Sequence, residues 1–258
     1  MNTATGVCSP AAQRESSNGQ EVDIRTVLSR RSDLSTFIVH LTRDENGDSA
    51  NDRLESIVKS WKIQARNAFG TALSRLSEDG PSADSQKCVC FTETPLEYLH
   101  LLVGKIRGRS RQLAPYGVAI TKKLARMKGV NPVWYVDQTP GHDWLTRDID
   151  RLRDSAIASA NFDHTPFAKI APFIEQMGTW KGKPPKEFWW EREWRHVGPF
   201  KLPDHVILIC PDKANTHSDF EKLARDKGHS AKCMDANWGL EEIIARLAGF
   251  SRGDIEIF

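Results

Sequence analysis

The sequence predicts an α+β protein, and three observations lead there. Runs rich in β-branched and aromatic residues recur at strand length, amphipathic segments of helical spacing separate them, and the last quarter alternates strand, helix, strand and helix. Of 258 residues 39% are hydrophobic and 27% charged, an ordinary globular balance. No run approaches the roughly 18 apolar residues of a membrane-spanning helix, so no membrane contact is expected. Residues 1–10 have neither a basic start nor an apolar stretch of signal-peptide type, which points to a cytoplasmic setting. The five cysteines include no CxxC pair and read as reduced thiols.

Taken in order, residues 1–33 are poor in large apolar side chains and read as a flexible N-terminal tail with a short helix near Val22 to Arg30. Residues 34–258 then form one α+β domain, with a core at 34–202 and a C-terminal α/β extension at 203–258. The first core strand is Ser35 to Thr42. Apolar residues at helical spacing from 52 to 76 predict one or two amphipathic helices, interrupted at Gly70. Cys88 to Thr92 is a second strand; alternation places Cys88 and Cys90 on one face as core packing, with a structural metal as the alternative. Thr94 and Pro95 open a helix over 96–103. Tyr116 to Thr121 is a strand, 122–128 a short helix closed by Gly129, and Asn131 to Val136 a further strand. A long helix over 143–159 and a second at 167–176 follow, then a loop at 179–186. Glu191 to Val197 is a strand, and the extension reads as strand 206–210, helix 218–227, strand 231–234 and helix 240–247.

The common catalytic signatures are absent: no P-loop, GxGxxG, HExxH, CxxC or GxSxG occurs, and no metal site is expected. Charge is uneven although the net value is only +2. Between Tyr98 and Val136 no acid occurs, while Lys105, Arg107, Arg109, Arg111, Lys122, Lys123, Arg126 and Lys128 do. Such a stretch is either a solvated face or a site for the phosphates of a nucleic acid or dinucleotide. In Glu191-Arg-Glu-Trp-Arg195 a period of two would put Glu191, Glu193 and Arg195 on one side of the strand. That pattern reads either as an edge strand with an internal ion pair or, beside Phe188, Trp189, Trp190 and Trp194, as carboxylates screened from water. His40 in an apolar strand and Tyr116 are each explained equally by packing.

The order of these elements resembles the bacterial AbiGi-type abortive-infection family. The resemblance rests on Val39-His-Leu-Thr42, Val89-Cys-Phe-Thr-Glu-Thr-Pro95, Tyr116-Gly-Val-Ala-Ile120, Gly129-Val-Asn-Pro-Val-Trp-Tyr135 and Trp190-Glu-Arg-Glu-Trp-Arg195, across about residues 35–210. It implies phage defence beside a toxin or other defence-system partner protein. A more distant resemblance is to ADP-ribosyltransferase folds, which hold NAD between a pair of small antiparallel sheets with flanking helices. That likeness implies His40 on the adenosine-side ribose, Tyr116 or Tyr135 on the nicotinamide, Glu193 or Glu191 as the catalytic acid, and Thr42 and Arg195 among the cofactor-binding residues. The basic segment would meet pyrophosphate or a nucleic-acid acceptor. No serine-threonine-serine motif stands on the middle strand. Two further readings remain open: a non-enzymatic antitoxin or sensor that binds a partner protein or nucleic acid through the basic segment, and a metal-dependent nuclease built on Glu93, Glu191 and Glu193.

Overall fold

The computed structural model describes residues 31–76, 81–106, 109, 112–180, 185–213 and 215–250. Two compact units divide the chain, Met1–Ser32 and Asp33–Phe258. Everything below concerns the second. The expected tail up to residue 30, its helix at Val22 to Arg30, and the basic residues Arg107 and Arg111 lie outside the described residues.

Strand β1 (Phe37–Leu41) leads through a polar turn to helix α1 (Ala50–Ser60). Ser49 and Asp52 start the helix reciprocally, each side chain accepting the other residue's backbone N–H. Leu54, Ile57 and Val58 form its buried stripe. The helical pattern that runs on to residue 76 in sequence is overridden at Trp61. There the backbone turns left-handed (φ 49°), while the buried indole donates to the Pro203 carbonyl at 2.9 Å and stacks on His229 at 4.0 Å. That anchor redirects the chain into β2 (Lys62–Ile63), β3 (Asn67–Ala68) and a 3-10 turn at Leu73–Arg75.

Helix α2 (Pro81–Asp84) and strand β4 (Lys87–Thr92) follow, then a 3-10 turn (Leu96–Tyr98), α3 (His100–Val103), β5 (Gly117–Thr121) and α4 (Lys122–Met127). The single strand expected over 131–136 divides into β6 (Asn131–Pro132) and β7 (Trp134–Asp137). After α5 (Trp144–Ile157), Thr165 caps α6 (Pro166–Ile170), with proline in its first turn. The helix expected to reach residue 176 stops there, because Pro172 has no amide hydrogen to continue it. A 3-10 turn at Ala171–Phe173 gives way to β8 (Ile174–Met177), which pairs parallel with β7. The chain finishes with a 3-10 turn at Phe188–Glu191, β9 (Glu193–Val197), β10 (Phe200–Lys201), β11 (His205–Ile209), α7 (Thr216–Asp226), β12 (Ser230–Met234) and α8 (Leu240–Ala248).

One mixed eight-stranded sheet organises the domain, in the order β12-β11-β5-β1-β4-β9-β6 with β3 also on β4; β2 with β10 and β7 with β8 form two-stranded sheets. The fold is α+β, as expected, but this continuous sheet stands in place of the expected pair of small antiparallel sheets. The reason lies in β5, which pairs with β1 on one side and β11 on the other, so that the C-terminal strand-helix-strand-helix joins the core sheet directly. The outer edge at β12 is covered: the Cys233 N–H donates to Glu221, its carbonyl accepts from Arg246, and those two side chains pair at 2.7 Å.

Each face of the sheet carries its own core. Ile38, Val89, Phe91, Val118, Ile120 and Leu208 point towards α1 and α7 on the first face. Val39, Leu41, Ala119, Ile207, Ile209 and Met234 point to the second, against α3 and α8. A separate cluster on α5, α6, β7 and β8 includes Val136, Ile149, Phe167 and Ile174. Among the described residues, no helix is long and apolar enough to cross a membrane.

Gly117 is required by the close pairing of β5 with β1, since a Cβ there would collide with the backbone carbonyl of His40. Gly117→Ala is expected to lower the denaturant midpoint by the equivalent of about 1–3 kcal/mol with unchanged slope, whereas Gly104→Ala, where the space is open, shifts it by less than about 0.5 kcal/mol.

Candidate functional site

The two most distinctive segments of the sequence lie side by side. Strands β4 and β9 pair antiparallel with Cys90 opposite Arg195, Phe91 opposite Trp194 and Thr92 opposite Glu193. Beyond the paired strands the contact continues, because the Glu93 N–H donates to the Arg192 carbonyl at 3.2 Å and the Thr92 hydroxyl donates to the Glu191 carbonyl at 2.7 Å. Arg192 is left-handed (φ 48°) and Glu191 belongs to the preceding 3-10 turn. The expected strand alternation therefore holds for Glu193 and Arg195 and fails for Glu191, which belongs to the turn before the strand, although its carboxylate stays within electrostatic reach of Glu193.

Arg195 is 1% exposed and points to the second face. Its guanidinium forks onto Glu193 (3.1 and 2.7 Å), reaches Glu175 at 2.7 Å and the Pro172 carbonyl at 2.6 Å, and lies 4.7 Å from the centre of the Phe69 ring. Burial opposes its charge, but the Glu193 and Glu175 carboxylates and the neighbouring Cys90 outweigh it and hold the pKa above the ordinary arginine value. Glu175 also pairs with Lys186. Burial alone would raise the Glu175 pKa; Arg195 and Lys186 together bring it below the usual carboxylate value. Alongside, the Tyr135 hydroxyl accepts the Glu193 N–H at 3.3 Å, and burial pushes that phenol up. Glu191 binds Arg109 at 3.2 Å; burial raises its carboxyl and Arg109 offsets part of the rise.

Glu93 occupies the first face and is 5% exposed. It accepts from the Trp194 indole at 2.8 Å, from Lys122 at 3.0 Å and pairs with Arg192 at 3.3 Å. Lys122 also lies 5.9 Å from the centre of the Trp194 ring. Thus the signature acids Glu93, Glu191 and Glu193 each have a cationic partner.

The remaining expected site residues are divided between the faces. His40 is opposite Val118 and belongs to the first face; its Nδ1 donates to the Cys90 carbonyl at 2.8 Å, since a carbonyl can only accept. Burial, above all, lowers its pKa, which keeps the ring neutral at neutral pH. Tyr116 packs against the same core, and the Thr42 hydroxyl bonds the Ala50 and Tyr116 carbonyls at 3.0 and 3.1 Å. Glu193 and Arg195 lie across the sheet from all three. His40, Tyr116 and Glu193 therefore do not meet in one cleft, nor do Glu93 and Glu193 gather as a nuclease set. Among the described residues no group of three or more His, Cys, Asp or Glu is arranged to hold a metal.

Of the basic segment, Arg109 and Lys122 are engaged with acids, while Lys105 and Lys123 are exposed. Cys88 and Cys90 share a face; burial pushes the Cys88 thiol up to about 12 and Cys90 well above its ordinary value, which leaves both weak as nucleophiles. The expected aromatic screen is only partial, because Trp189 and Trp190 are 54% and 39% exposed; Trp134, which is not part of that screen, is 52% exposed. Sequence reasoning missed Glu175 and Lys186. No spacing signals Glu175, which falls at the end of the helix expected over 167–176.

Residues 56–227 match the family model described as "Putative abortive phage resistance protein AbiGi, antitoxin". The chain belongs to this AbiGi family. The match takes in both β4 and β9, and so every contact between Glu93, Glu191, Glu193 and Arg195 falls inside the AbiGi region; β1 with His40, together with β12 and α8, falls outside it. No curated protein and no solved structure matches the chain.

Arg195→Met should destabilise the protein by about 1–3 kcal/mol in denaturant unfolding, because it leaves the partly buried Glu193 and Glu175 carboxylates without their shared cation. The folded-state pKa of Glu175 lies below the ordinary 4.5, so its stabilising contribution is complete above that value and is lost as pH falls through the folded pKa. Unfolding midpoints measured between about pH 5 and pH 3 should accordingly fall less steeply for Glu175→Gln than for the unaltered protein.

Proposed function

We propose that this AbiGi chain is the non-catalytic, binding half of a phage-defence pair: an antitoxin that holds a partner protein through the surface around the start of β9. The observation that carries this reading is the division of roles at the β4–β9 junction. Its acids are engaged inside the fold, while Trp189 and Trp190, in the turn that ends at Arg192, and Trp134 at the start of β7 stand exposed. Tryptophan and arginine are among the side chains that most often dominate protein interfaces, which makes exposed Trp189 and Trp190 next to Arg192 candidate anchors. The adjoining edge adds exposed Lys123, Arg126, Met127 and Lys128 on and after α4, a cationic rim suited to an acidic partner.

An ADP-ribosyltransferase-like core that consumes NAD is the less supported alternative, since the residues it needs are divided between the two faces. Nucleic acid as the partner is weakened because Arg109 and Lys122 are engaged with Glu191 and Glu93.

The full chain, immobilised and exposed to lysate of phage-infected and uninfected host cells, should retain one protein in near-stoichiometric amount. Trp189→Ala combined with Trp190→Ala should reduce that retention at least tenfold with an unchanged melting curve. Nicotinamide release from NAD on addition of lysate, or retention of the same protein by the double variant, would sink the proposal. Oligonucleotide binding that weakens steeply with salt would transfer it to nucleic acid.

A further inference from the structure

Strands β11 and β12 are a parallel pair at one end of the large sheet, and their outgoing connections part. The chain leaves β11 for α7 on the first face and leaves β12 for α8 on the second. Adjacent parallel strands whose connections diverge leave a crevice beyond their carboxyl ends, which is the general position of ligand sites in open α/β sheets. Here the crevice is a cavity of about 370 Å³ between α7 and α8, inside the size range of small-molecule sites. Its inner wall is well fixed. His217 and Trp238, both buried, meet edge to face at 5.4 Å, and the His217 Nε2 donates to the Cys210 carbonyl at 3.0 Å.

The charges that line the cavity are unequally engaged. Glu221 accepts from the Cys233 N–H and from Arg246 Nη2, Glu242 accepts from the Gly239 N–H at 2.9 Å, and Asp212 lies 3.7 Å from the His217 Nδ1. On the cationic side, Arg246 uses Nε on the Cys233 carbonyl and Nη2 on Glu221, which leaves Nη1 without a partner among the described residues. Lys213, exposed at the cavity, has no acidic partner among them. Phe250, more than half exposed, gives the lining an accessible aromatic ring.

We propose that this cavity binds a nucleoside monophosphate, with Lys213 and Nη1 of Arg246 on the phosphate and the base against Phe250. Lysine and arginine N–H groups are ordinary partners of phosphate oxygens, and an exposed aromatic ring stacks on any base. The carboxylates make a bare anion a poor fit and a ligand with hydroxyl donors a good one, since the second oxygen of Glu242 can accept from a ribose hydroxyl. A volume near the lower end of the small-molecule range suits one nucleotide and is too small for a dinucleotide. The site lies at the opposite end of the sheet from β9 and β6, so it does not depend on the tryptophan surface.

Equilibrium dialysis of the full chain against AMP, GMP, CMP and UMP in turn should show at least one of them bound at a single site, with a dissociation constant below about 1 mM. Lys213→Ala and, separately, Phe250→Ala should each weaken that binding about tenfold. Both side chains are exposed, so the melting curves should stay unchanged. Trp189→Ala combined with Trp190→Ala should leave the nucleotide affinity as it is, which separates this site from the partner surface. Failure of all four nucleotides to bind overturns the inference, as does an affinity that either cavity substitution leaves untouched or that the tryptophan double variant loses. Inorganic phosphate that displaces the nucleotide at equal concentration overturns it too, because the site would then be one for a simple anion.

Discussion

The guanidinium of Arg195 ties together three parts of the chain that share no local pattern. It is fixed at the middle of β9 by pairing with Cys90, holds Glu193 on its own strand, and reaches Glu175 and the Pro172 carbonyl from the β8 region. A charge this deeply buried is tolerated only because its bonds are supplied by two carboxylates and a carbonyl. The placement of β8, and with it the α5–α6 cluster against the sheet, follows from that requirement. Removing the arginine would do more than lose one ion pair, since the partly buried Glu193 and Glu175 would both lose the cation they share.

The same constraint decides what the signature motifs can do. A carboxylate that serves as a general base needs a free lone pair facing a substrate, and a nucleotide cleft needs its groups on one side of a wall. Glu193 is locked by Arg195, Glu93 by Lys122 and Trp194, and Glu191 by Arg109, with the sheet itself between the first two. In this fold the segment dense in acids and aromatics sets each of its acids against a cation of the same chain. Trp189 and Trp190, in the turn before β9, remain exposed.

The two ends of the sheet differ. At β12 the N–H and carbonyl of Cys233 are taken up by Glu221 and Arg246, which blunts that edge against pairing with another strand. Toward β9 and β6, Trp134, Trp189 and Trp190 stand exposed.

Much of this was legible in the sequence because it rests on local rules. The strand runs at 37–41, 87–92, 117–121 and 205–209 announce themselves by β-branched and aromatic residues, and α1, α7 and α8 by their spacing. The family follows from the order in which Val89 to Pro95, Trp190 to Arg195 and the other characteristic segments occur. The faces were another matter. A period of two tells which residues of one strand share a side, but only the register between strands decides that His40 and Glu193 stand on opposite sides of the sheet. A left-handed Arg192 removed Glu191 from the strand, and Trp61 ended a helix whose pattern ran on; both are set by distant contacts. The sequence alone determined the elements and their kinship, while the tertiary structure decided which charges would meet, because an ion pair between Arg195 and Glu175 exists only once β8 and β9 are folded together.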